Sequence, residues 1–217
     1  MPMGLYRDFL THTGRVVHKW THYFPVYERY LAPWVNRSVT LIEIGCGEGG
    51  SLQLWKRYLG PYARIVGIDF NPACKAFEED QISVHIGDQG DTGFLSRVIE
   101  EVGAPDIVID DGSHIMHHMR ASFDYLYPRL SKSGVYIIED THAAYWEEYG
   151  GGYRAPQSIV EYAKELVDRL NADHARGAVT PDDFTRSTHS VAFYESMIVF
   201  ERGWFNAKHA PKIGRAP

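Results

Sequence analysis

Residues 41–51 read Leu41-Ile42-Glu43-Ile44-Gly45-Cys46-Gly47-Glu48-Gly49-Gly50-Ser51, an apolar strand pattern that breaks into a run containing four glycines. A helical pattern follows at once, with Leu52, Trp55 and Leu59 on one face. Glycine lets the backbone take a positive φ or approach a ligand closely, and a helix start offers unpaired N–H groups with a partial positive charge. The stretch therefore predicts a strand, a tight loop and a helix that together bind a nucleotide-like cofactor.

Two cofactors are compatible with the glycine spacing. Gly45, Gly47 and Gly50 satisfy the dinucleotide pattern G-x-G-x-x-G, and Asp69 stands at about the right distance downstream to bind a ribose hydroxyl. Glu43 argues against a dinucleotide, because its carboxylate would repel a pyrophosphate but suits a ligand that carries an ammonium and a sulfonium. Glu-x-Gly-x-Gly after a first strand resembles motif I of the class I S-adenosylmethionine (SAM) methyltransferases. SAM is therefore favoured, and a turn that binds nothing is the remaining alternative.

Strand and helix patterns alternate along most of the chain. Strands are predicted at residues 40–44, 64–68, 82–86, 106–109 and 135–138, a hairpin at 191–194 and 197–201, and helices at 51–59, 73–79, 92–103, 116–127 and 159–172. Short apolar strands between helices predict an α/β fold, with a mainly parallel sheet covered by helices on both faces. The resemblance implies a Rossmann-like, seven-stranded sheet that closes with a C-terminal antiparallel hairpin.

The composition excludes several classes of protein. A net charge of −6 provides no electrostatic basis for binding nucleic acid or an anionic membrane. We find no apolar run that would span a bilayer, and the polar, mixed N-terminus predicts no signal peptide. Cys46 and Cys74 are the two cysteines, and a disulfide at Cys46 would strain the glycine loop, so we expect a reduced, cytoplasmic protein. We expect an N-terminal helical, aromatic segment (1–38), a SAM-binding core (39–203) and a mobile tail (204–217).

Acidic residues follow the strands, where ligands bind to open α/β sheets. Asp69 follows the second strand and Asp88 the third, and either could instead cap a helix. The methyltransferase resemblance implies that Asp69 binds the ribose hydroxyls of SAM and that Asp88 lies near the adenine amino group. The cofactor site that we predict consists of Glu43, Gly45, Gly47, Gly49, Ser51, Asp69, Asp88, Gln89 and Asp110.

Two further acidic stretches end the fourth and fifth strands: Asp110-Asp111-Gly112-Ser113-His114 and Glu139-Asp140-Thr141-His142. If the strands are neighbours, Asp111, Glu139 and Asp140 converge, and carboxylates packed together need a cation or a raised pKa. Oxygen ligands without cysteine favour Mg²⁺ over zinc. We therefore predict a Mg²⁺ site at these three residues, with helix capping and solvated loop ends as the alternative.

His114 stands three residues after Asp111, where it can reach a substrate hydroxyl held on the metal. An imidazole can serve there as a general base, so His114 is the predicted catalytic base, with Asp111 beside it. His117 and His118 are expected on the following helix, behind the site or at the surface. His142 is expected near the metal, where it could line the acceptor pocket.

Asp-Asp-Gly-Ser-His followed by Glu-Asp-Thr resembles the Mg²⁺-dependent sugar O-methyltransferases of actinobacteria. That group includes macrolide-glycoside and rhamnosyl O-methyltransferases and the mannoside methyltransferase of mycobacterial methylmannose polysaccharide. The resemblance runs from about residue 20 to residue 201 and implies metal binding by Asp111, Glu139 and Asp140, with His114 as base. The large N-terminal auxiliary domain of the macrolide enzymes is absent from this sequence, from which we expect a small sugar or glycoside acceptor.

Three other functions share features with this sequence. A catechol or other phenol shares the vicinal diol that would chelate the metal and stays open as an acceptor. An NAD-dependent oxidoreductase fits the glycines, but none of the 14 tyrosines is followed by lysine at the fourth position, the pair that short-chain dehydrogenases use. A non-catalytic SAM-fold subunit would not need the acids and His114.

Two segments could shape the acceptor pocket. Residues 20–34 are rich in aromatic side chains and are expected to fold over the site, to form the interface of a homodimer, or to pack as a helix on the sheet. Residues 145–156 contain three consecutive glycines flanked by tyrosines, the composition of a lid or of a disordered connection.

Overall fold

Five strands of the computed structural model run parallel and are rich in valine and isoleucine, as strands buried on both faces require. The structure describes residues 4–203 and 208–215. The strands are β1 (Val39–Ile44), β2 (Ala63–Asp69), β3 (Ile82–Ile86), β4 (Ile107–Asp110), β5 (Val135–Ile138), β6 (Thr188–Tyr194) and β7 (Met197–Arg202). Their order in the sheet is β3-β2-β1-β4-β5-β7-β6, with β7 antiparallel to both neighbours. The predicted seven-stranded sheet with its antiparallel C-terminal hairpin is confirmed.

Helices cover both faces of the sheet. They are α1 (Leu5–Leu10), α2 (Phe24–Leu31), α3 (Gly50–Leu59), α4 (Thr92–Val102), α5 (Met116–Leu126), α6 (Ile159–Leu170) and α7 (Asp183–Ser187). One core lies beneath α1, α2 and α3, where the fully buried Trp55 packs edge-on against Tyr27 with ring centroids 5.0 Å apart. The other core lies beneath α4, α5 and α6. Within the described residues, no helix is long and apolar enough to cross a membrane.

Two local predictions are wrong, and one short helix was not predicted. The helix expected at residues 73–79 is the 3₁₀ segment Pro72–Phe77, opened by Asn71, whose side chain accepts a hydrogen bond from the Ala73 amide. β6 starts at Thr188 rather than at residue 191, because its polar first residues lie on an edge strand beside a bulge and carry no apolar signal. The short helix α7 went unpredicted; a capping box between Asp182 and Thr185 holds its first turn.

The terminal segments are described in part. Residues 1–3 of the predicted N-terminal segment, and residues 204–207 and 216–217 of the predicted tail, lie outside the described residues. In the tail, Lys208 Nζ lies 2.9 Å from Asp173 Oδ2. Most aromatic side chains of residues 20–34 are buried, among them Tyr23, Tyr27 and Tyr30, whereas Trp20 is 55% exposed. The segment thus mainly packs on the sheet and leaves one large ring at the surface.

Strand register determines where the chemistry lies. The sheet order reverses at β1, so the carboxyl ends of β1 and β4 border the crevice where ligands bind in such folds. Ile44 pairs with Asp110, and Asp110 pairs with Ile138. The next residues along these strands, Gly45, Asp111 and Glu139, therefore stand side by side at one edge of the sheet.

Candidate active site

A cavity of about 1000 Å³ lies beyond the carboxyl ends of the parallel strands. Most predicted site residues line it: Gly45, Gly47, Ser51, Asp69, Asp88, Gln89, Asp111, His114, Glu139 and Asp140. Glu43, Gly49 and Asp110 are predicted site residues that stand outside this lining. The cavity therefore joins the predicted cofactor residues and the predicted metal residues in one space.

The glycine loop needs glycine for two different reasons. Gly45, Gly47 and Gly49 all have positive φ values, of 81°, 49° and 76°. At Gly45 a Cβ atom would also lie 2.0 Å from the backbone oxygen of Asp111, so the loop and the β4 turn touch through backbone. The Gly47 amide donates to Asp69 Oδ2 at 3.1 Å, which ties the loop to the end of β2.

Replacing Gly45 by alanine is expected to lower the free energy of unfolding by about 2–4 kcal/mol, because the left-handed φ is costly and the facing backbone cannot move aside. Urea unfolding measures this change. Gly177→Ala is the matched control, since Gly177 also has a positive φ and, among the described residues, no atom lies within 4 Å of where its Cβ would stand. Equal losses in the two variants would contradict the role of the backbone contact.

Neither Asp69 nor Asp88 is used as a helix cap. Asp69 Oδ1 accepts from the Asn71 amide at 2.9 Å, and Asp88 Oδ1 accepts from the Gly90 amide at 2.8 Å, both in tight local turns. The caps are formed by Asn71 and by Asp91, which accepts from Gly93. Both carboxylates are thus held at the cavity by their own loops, consistent with ligand binding.

Glu43 and Ser51 lie beneath the glycine loop. Ser51 Oγ donates to Glu43 Oε2 at 2.6 Å, and the Glu43 side chain is fully buried. Burial raises the pKa of the Glu43 carboxyl group, an effect that the nearby ammonium of Lys19 opposes. Gly49 instead packs against the Phe77 ring, 2.6 Å from where a Cβ would stand. Ser51 therefore lines the cavity, whereas Glu43 and Gly49 lie behind its wall and support the glycine loop.

Asp110 was predicted to bind the cofactor, but it does not line the cavity. Its carboxylate points away from the cavity, into the core, and accepts hydrogen bonds from Gln89 Nε2 (3.0 Å), Ser122 Oγ (2.7 Å) and Tyr136 Oη (3.0 Å). Burial raises the pKa of Asp110, while these donors favour its ionised form. Gln89 Oε1 in turn accepts from the Ser113 amide at 2.7 Å. Asp110 therefore holds Gln89, and Gln89 holds the turn that carries His114.

An ammonium lies between the predicted metal ligands. Lys19 Nζ is 2.7 Å from Asp111 Oδ2, 3.1 Å from both carboxylate oxygens of Glu139 and 3.1 Å from Glu43 Oε1. Its side chain is 3% exposed. Lys19 was not among the predicted site residues, because nothing in its local pattern distinguishes it from a solvated lysine. Its three partners meet it only through tertiary folding.

The charges in this cluster exceed what one ammonium balances. Burial alone would lower the pKa of Lys19, but the charges of Asp111, Glu139 and Glu43 outweigh it and raise that pKa well above its ordinary value. Burial and the neighbouring Asp111 charge raise the pKa of Glu139 well above its ordinary value. Three carboxylates facing one ammonium have a formal excess of negative charge when all are ionised, and a divalent cation would balance that charge.

The third predicted ligand, Asp140, faces His114 rather than Lys19. Tyr23 Oη donates to Asp140 Oδ1 at 2.6 Å, and Asp140 Oδ2 lies 3.7 Å from His114 Nε2. Asp111 Oδ1 lies 3.9 Å from the same nitrogen. Ligand atoms of Asp111, His114 and Asp140 all lie within 4.8 Å of one another. The structure thus divides the predicted site into a Lys19 side with Glu139 and a His114 side with Asp140, with Asp111 shared.

Seven described residues other than glycine have a positive φ, and His114 and Asp140 are two of them. His114 and Asp140 have φ values of 57° and 49°, in the left-handed region that non-glycine residues rarely adopt. Such conformations persist only where the surrounding structure imposes them, and they are frequent at functional sites. The two side chains that face each other across the site thus share a left-handed backbone, which fixes the direction in which each leaves its turn.

Five aromatic rings follow one another outside the acid cluster of Glu43, Asp111, Glu139 and Asp140. We call them the aromatic arc: Trp20, His142, Trp146, Tyr149 and His114. Successive ring centroids along it are 6.3, 5.0, 5.7 and 6.4 Å apart. His142 Nδ1 lies 2.8 Å from Ser196 Oγ, which orients that ring. The glycines at 150–152 are ordered by hydrogen bonds, including one from the Gly152 amide to the Ala144 oxygen at 2.8 Å.

The two histidines predicted on α5, His117 and His118, have different surroundings. His118 lines the cavity, and its Nδ1 lies 3.1 Å from Ser113 Oγ. His117 is exposed to solvent. His118 therefore supports the turn before His114, whereas His117 stands apart from the acid cluster on the outer side of α5.

The strand order and the cavity at the strand ends are those of the class I methyltransferases. No protein-family model matches the chain. It is 41% identical over 195 residues to the mycinamicin VI 2''-O-methyltransferase of Micromonospora griseorubida, covering 80% of this chain and 48% of that protein. It is 36% identical over 196 residues to the 8-demethyl-8-(2-methoxy-alpha-L-rhamnosyl)-tetracenomycin-C 3'-O-methyltransferase of Streptomyces olivaceus, covering 85% and 50%.

A solved methyltransferase structure is also similar to this chain. The MycE methyltransferase of the mycinamycin pathway, in complex with Mg, SAH and mycinamycin VI, superposes with a TM-score of 0.82 and 31% identity. The alignment covers 97% of this chain and 56% of that one. The chain is thus similar to glycoside O-methyltransferases of Streptomyces and Micromonospora, and it spans about half the length of the curated relatives it matches.

Proposed function

We propose that this protein is a SAM-dependent O-methyltransferase that moves a methyl group to a hydroxyl of a sugar or small glycoside. The observation that carries the proposal is the joining of Asp111, His114 and Asp140, whose ligand atoms lie within 4.8 Å of one another, to the cavity beside the glycine loop. The names of the homologues and the Mg and SAH of the matched structure support the cofactors. The proposed cofactors are SAM and Mg²⁺.

The residues present fit both cofactors. Asp69 and Asp88 line the cavity, where they could accept hydrogen bonds from the ribose hydroxyls and the adenine amino group of SAM, and the buried carboxylate of Glu43 suits its positive charges. Asp111, Glu139 and Asp140 would hold the metal, since their oxygen atoms are hard ligands and two of the three already surround the Lys19 ammonium. When bound, Mg²⁺ would orient two neighbouring hydroxyls and lower the pKa of the one that reacts.

His114 would accept the proton of the reacting hydroxyl. Its Nε2 faces Asp111 and Asp140, where an acceptor on the metal would present its hydroxyls. The acceptor oxygen forms a bond to the methyl carbon as the carbon–sulfur bond breaks, and the sulfur keeps the electron pair. The hydroxyl proton passes to His114 Nε2. Positioning is the main task of the protein, because the leaving sulfonium is already positively charged.

Calorimetric titration with SAM, and separately with NAD⁺, tests the cofactor. We expect micromolar binding of SAM and no response to NAD⁺. A screen of vicinal diols with Mg²⁺ would then compare sugars with catechols, the alternative acceptor class. Binding of NAD⁺ alone would overturn the interpretation of Glu43 and the proposed reaction with it.

The aromatic arc is proposed to bind the acceptor ring. Trp146 is 44% exposed and lies midway along the arc, so its indole is free to stack on the apolar face of a sugar. Trp146→Ala is expected to raise the KM for the acceptor by about tenfold, equivalent to roughly 1.4 kcal/mol, and to leave the KM for SAM unchanged. Tyr153→Ala is the control, since Tyr153 is 78% exposed outside the arc. An unchanged acceptor KM would contradict this role.

The oligomeric state, the cellular location and the exact acceptor remain predictions. We expect a homodimer, supported by large apolar side chains that the N-terminal segment leaves exposed: Tyr6, Leu10, Val16 and Trp20. Light scattering on the eluting protein would measure its mass. A cytoplasmic location is supported by the free thiols of Cys46 and Cys74. A mannoside acceptor, and with it a place in polysaccharide biosynthesis, is the narrowest of these predictions.

A further inference from the structure

Lys19 is a buried charge for which the proposed reaction has no use. It lies between α1 and the 3₁₀ turn Thr21–Tyr23, in a stretch without regular secondary structure. Burying an ammonium is costly unless carboxylates compensate it. The three carboxylates that compensate it come from the ends of β1, β4 and β5, so the segment is tied across three strands by one side chain.

Two of these three carboxylates are also predicted metal ligands. Lys19 donates to Asp111 Oδ2 and to both oxygens of Glu139, which leaves no oxygen of Glu139 free of the ammonium. A divalent cation bound to Asp111 and Glu139 would stand within a few ångströms of Lys19 Nζ, and like charges at that distance in a buried site repel strongly. The two cations therefore compete for the same oxygens.

We propose that Lys19 and the divalent cation are alternative counter-ions of one acid cluster. In the metal-free protein the ammonium keeps Asp111 and Glu139 together, and entry of the metal displaces it. This inference rests on the metal site of the proposed function.

Displacement of Lys19 would change the wall of the cavity. The segment is fastened before Lys19, where the Arg15 amide donates to Gln53 Oε1 at 2.9 Å and Arg15 pairs with Glu79 at 3.3 Å. The backbone there also packs tightly on the helix start, since a Cβ at Gly50 would lie 2.2 Å from the Val16 oxygen. Residues 18–21 line the cavity. Metal binding would therefore release a short stretch between a fixed anchor and the aromatic arc.

The experiment compares Lys19→Met with the wild-type protein by thermal unfolding and by calorimetric titration with MgCl₂, without SAM. In chelator the variant is expected to unfold at a lower temperature, because three buried carboxylates lose their cation. Mg²⁺ should raise its unfolding temperature more than it does for the wild type, and its Kd for Mg²⁺ should be tighter by about tenfold. Lys164→Met is the control, since Lys164 makes a 2.6 Å ion pair with Glu161 on α6, away from the cluster and from the segment that carries Lys19.

Each other outcome has a distinct meaning. Equal Mg²⁺ affinity and equal thermal shifts in the wild type and the variant would overturn the inference and leave the metal site intact, with Lys19 beside the ion. No Mg²⁺ binding by either protein would overturn the inference together with the proposed metal site. If Lys19→Met does not fold, trypsin cleavage after Lys19 in the wild type decides: Mg²⁺ should accelerate it, and an unchanged rate would refute displacement.

Discussion

Replacing His114 by alanine is expected to lower the turnover of methyl transfer by about 10²- to 10⁴-fold, the usual contribution of a positioned general base. The physical reason is that a sugar hydroxyl is a weak acid, so the proton needs an acceptor as the new bond forms. Initial rates under saturating SAM, Mg²⁺ and glycoside measure the effect. SAM and Mg²⁺ affinity should change little, since the predicted metal ligands are all carboxylates.

The control for His114 is its exposed neighbour on the next helix. His117→Ala removes an imidazole from α5 without touching the acid cluster, so its turnover should equal that of the wild type. A His114→Ala variant with full turnover would refute the assignment of the base. Loss of turnover accompanied by an equal loss of Mg²⁺ affinity would instead make His114 a metal ligand, which its distances of 3.7 and 3.9 Å from the acid oxygens make geometrically accessible.

Asp111→Asn is expected to reduce turnover by about 10³-fold, equivalent to roughly 4 kcal/mol of transition-state stabilisation. Asp111 is the carboxylate that the two sides of the site share: one oxygen lies 2.7 Å from Lys19 and the other 3.9 Å from His114. The amide keeps the shape of the side chain but removes the negative charge that the metal requires. Calorimetric Mg²⁺ titration beside the rate measurement should show that metal affinity falls with turnover.

The control for Asp111 is an exposed aspartate away from the cavity. Asp80→Asn removes an exposed carboxylate outside the site and should leave both the rate and the Mg²⁺ affinity unchanged. If the wild type turns over equally fast in chelator and in Mg²⁺, the metal has no part in the reaction, whatever Asp111→Asn does. His114→Ala and Asp111→Asn thus separate the base from the metal site, because only the second should weaken Mg²⁺ binding.

Local sequence was sufficient for the parallel sheet and for the residues at its strand ends that line the cavity. The apolar runs and helical periodicity of residues 39–203 predict a parallel sheet, and parallel strands bring their carboxyl ends to one edge. Gly45, Asp69, Asp88, Asp111 and Glu139 stand there for that reason. Adjacent residues at a strand end point to opposite sides, which explains why Asp111 faces the cavity and Asp110 the core.

Tertiary structure alone decided how the charges at that edge are paired. Lys19 is 92 residues from Asp111 and 120 from Glu139, and no periodic pattern links it to them. Aspartate and histidine adopt the left-handed backbone more readily than most residues, but that His114 and Asp140 adopt it here is seen only in the folded chain. Secondary structure follows from short-range patterns that a sequence displays. The partner of a buried charge follows from which chain segment finally fills the space beside it, and so only the folded chain reveals it.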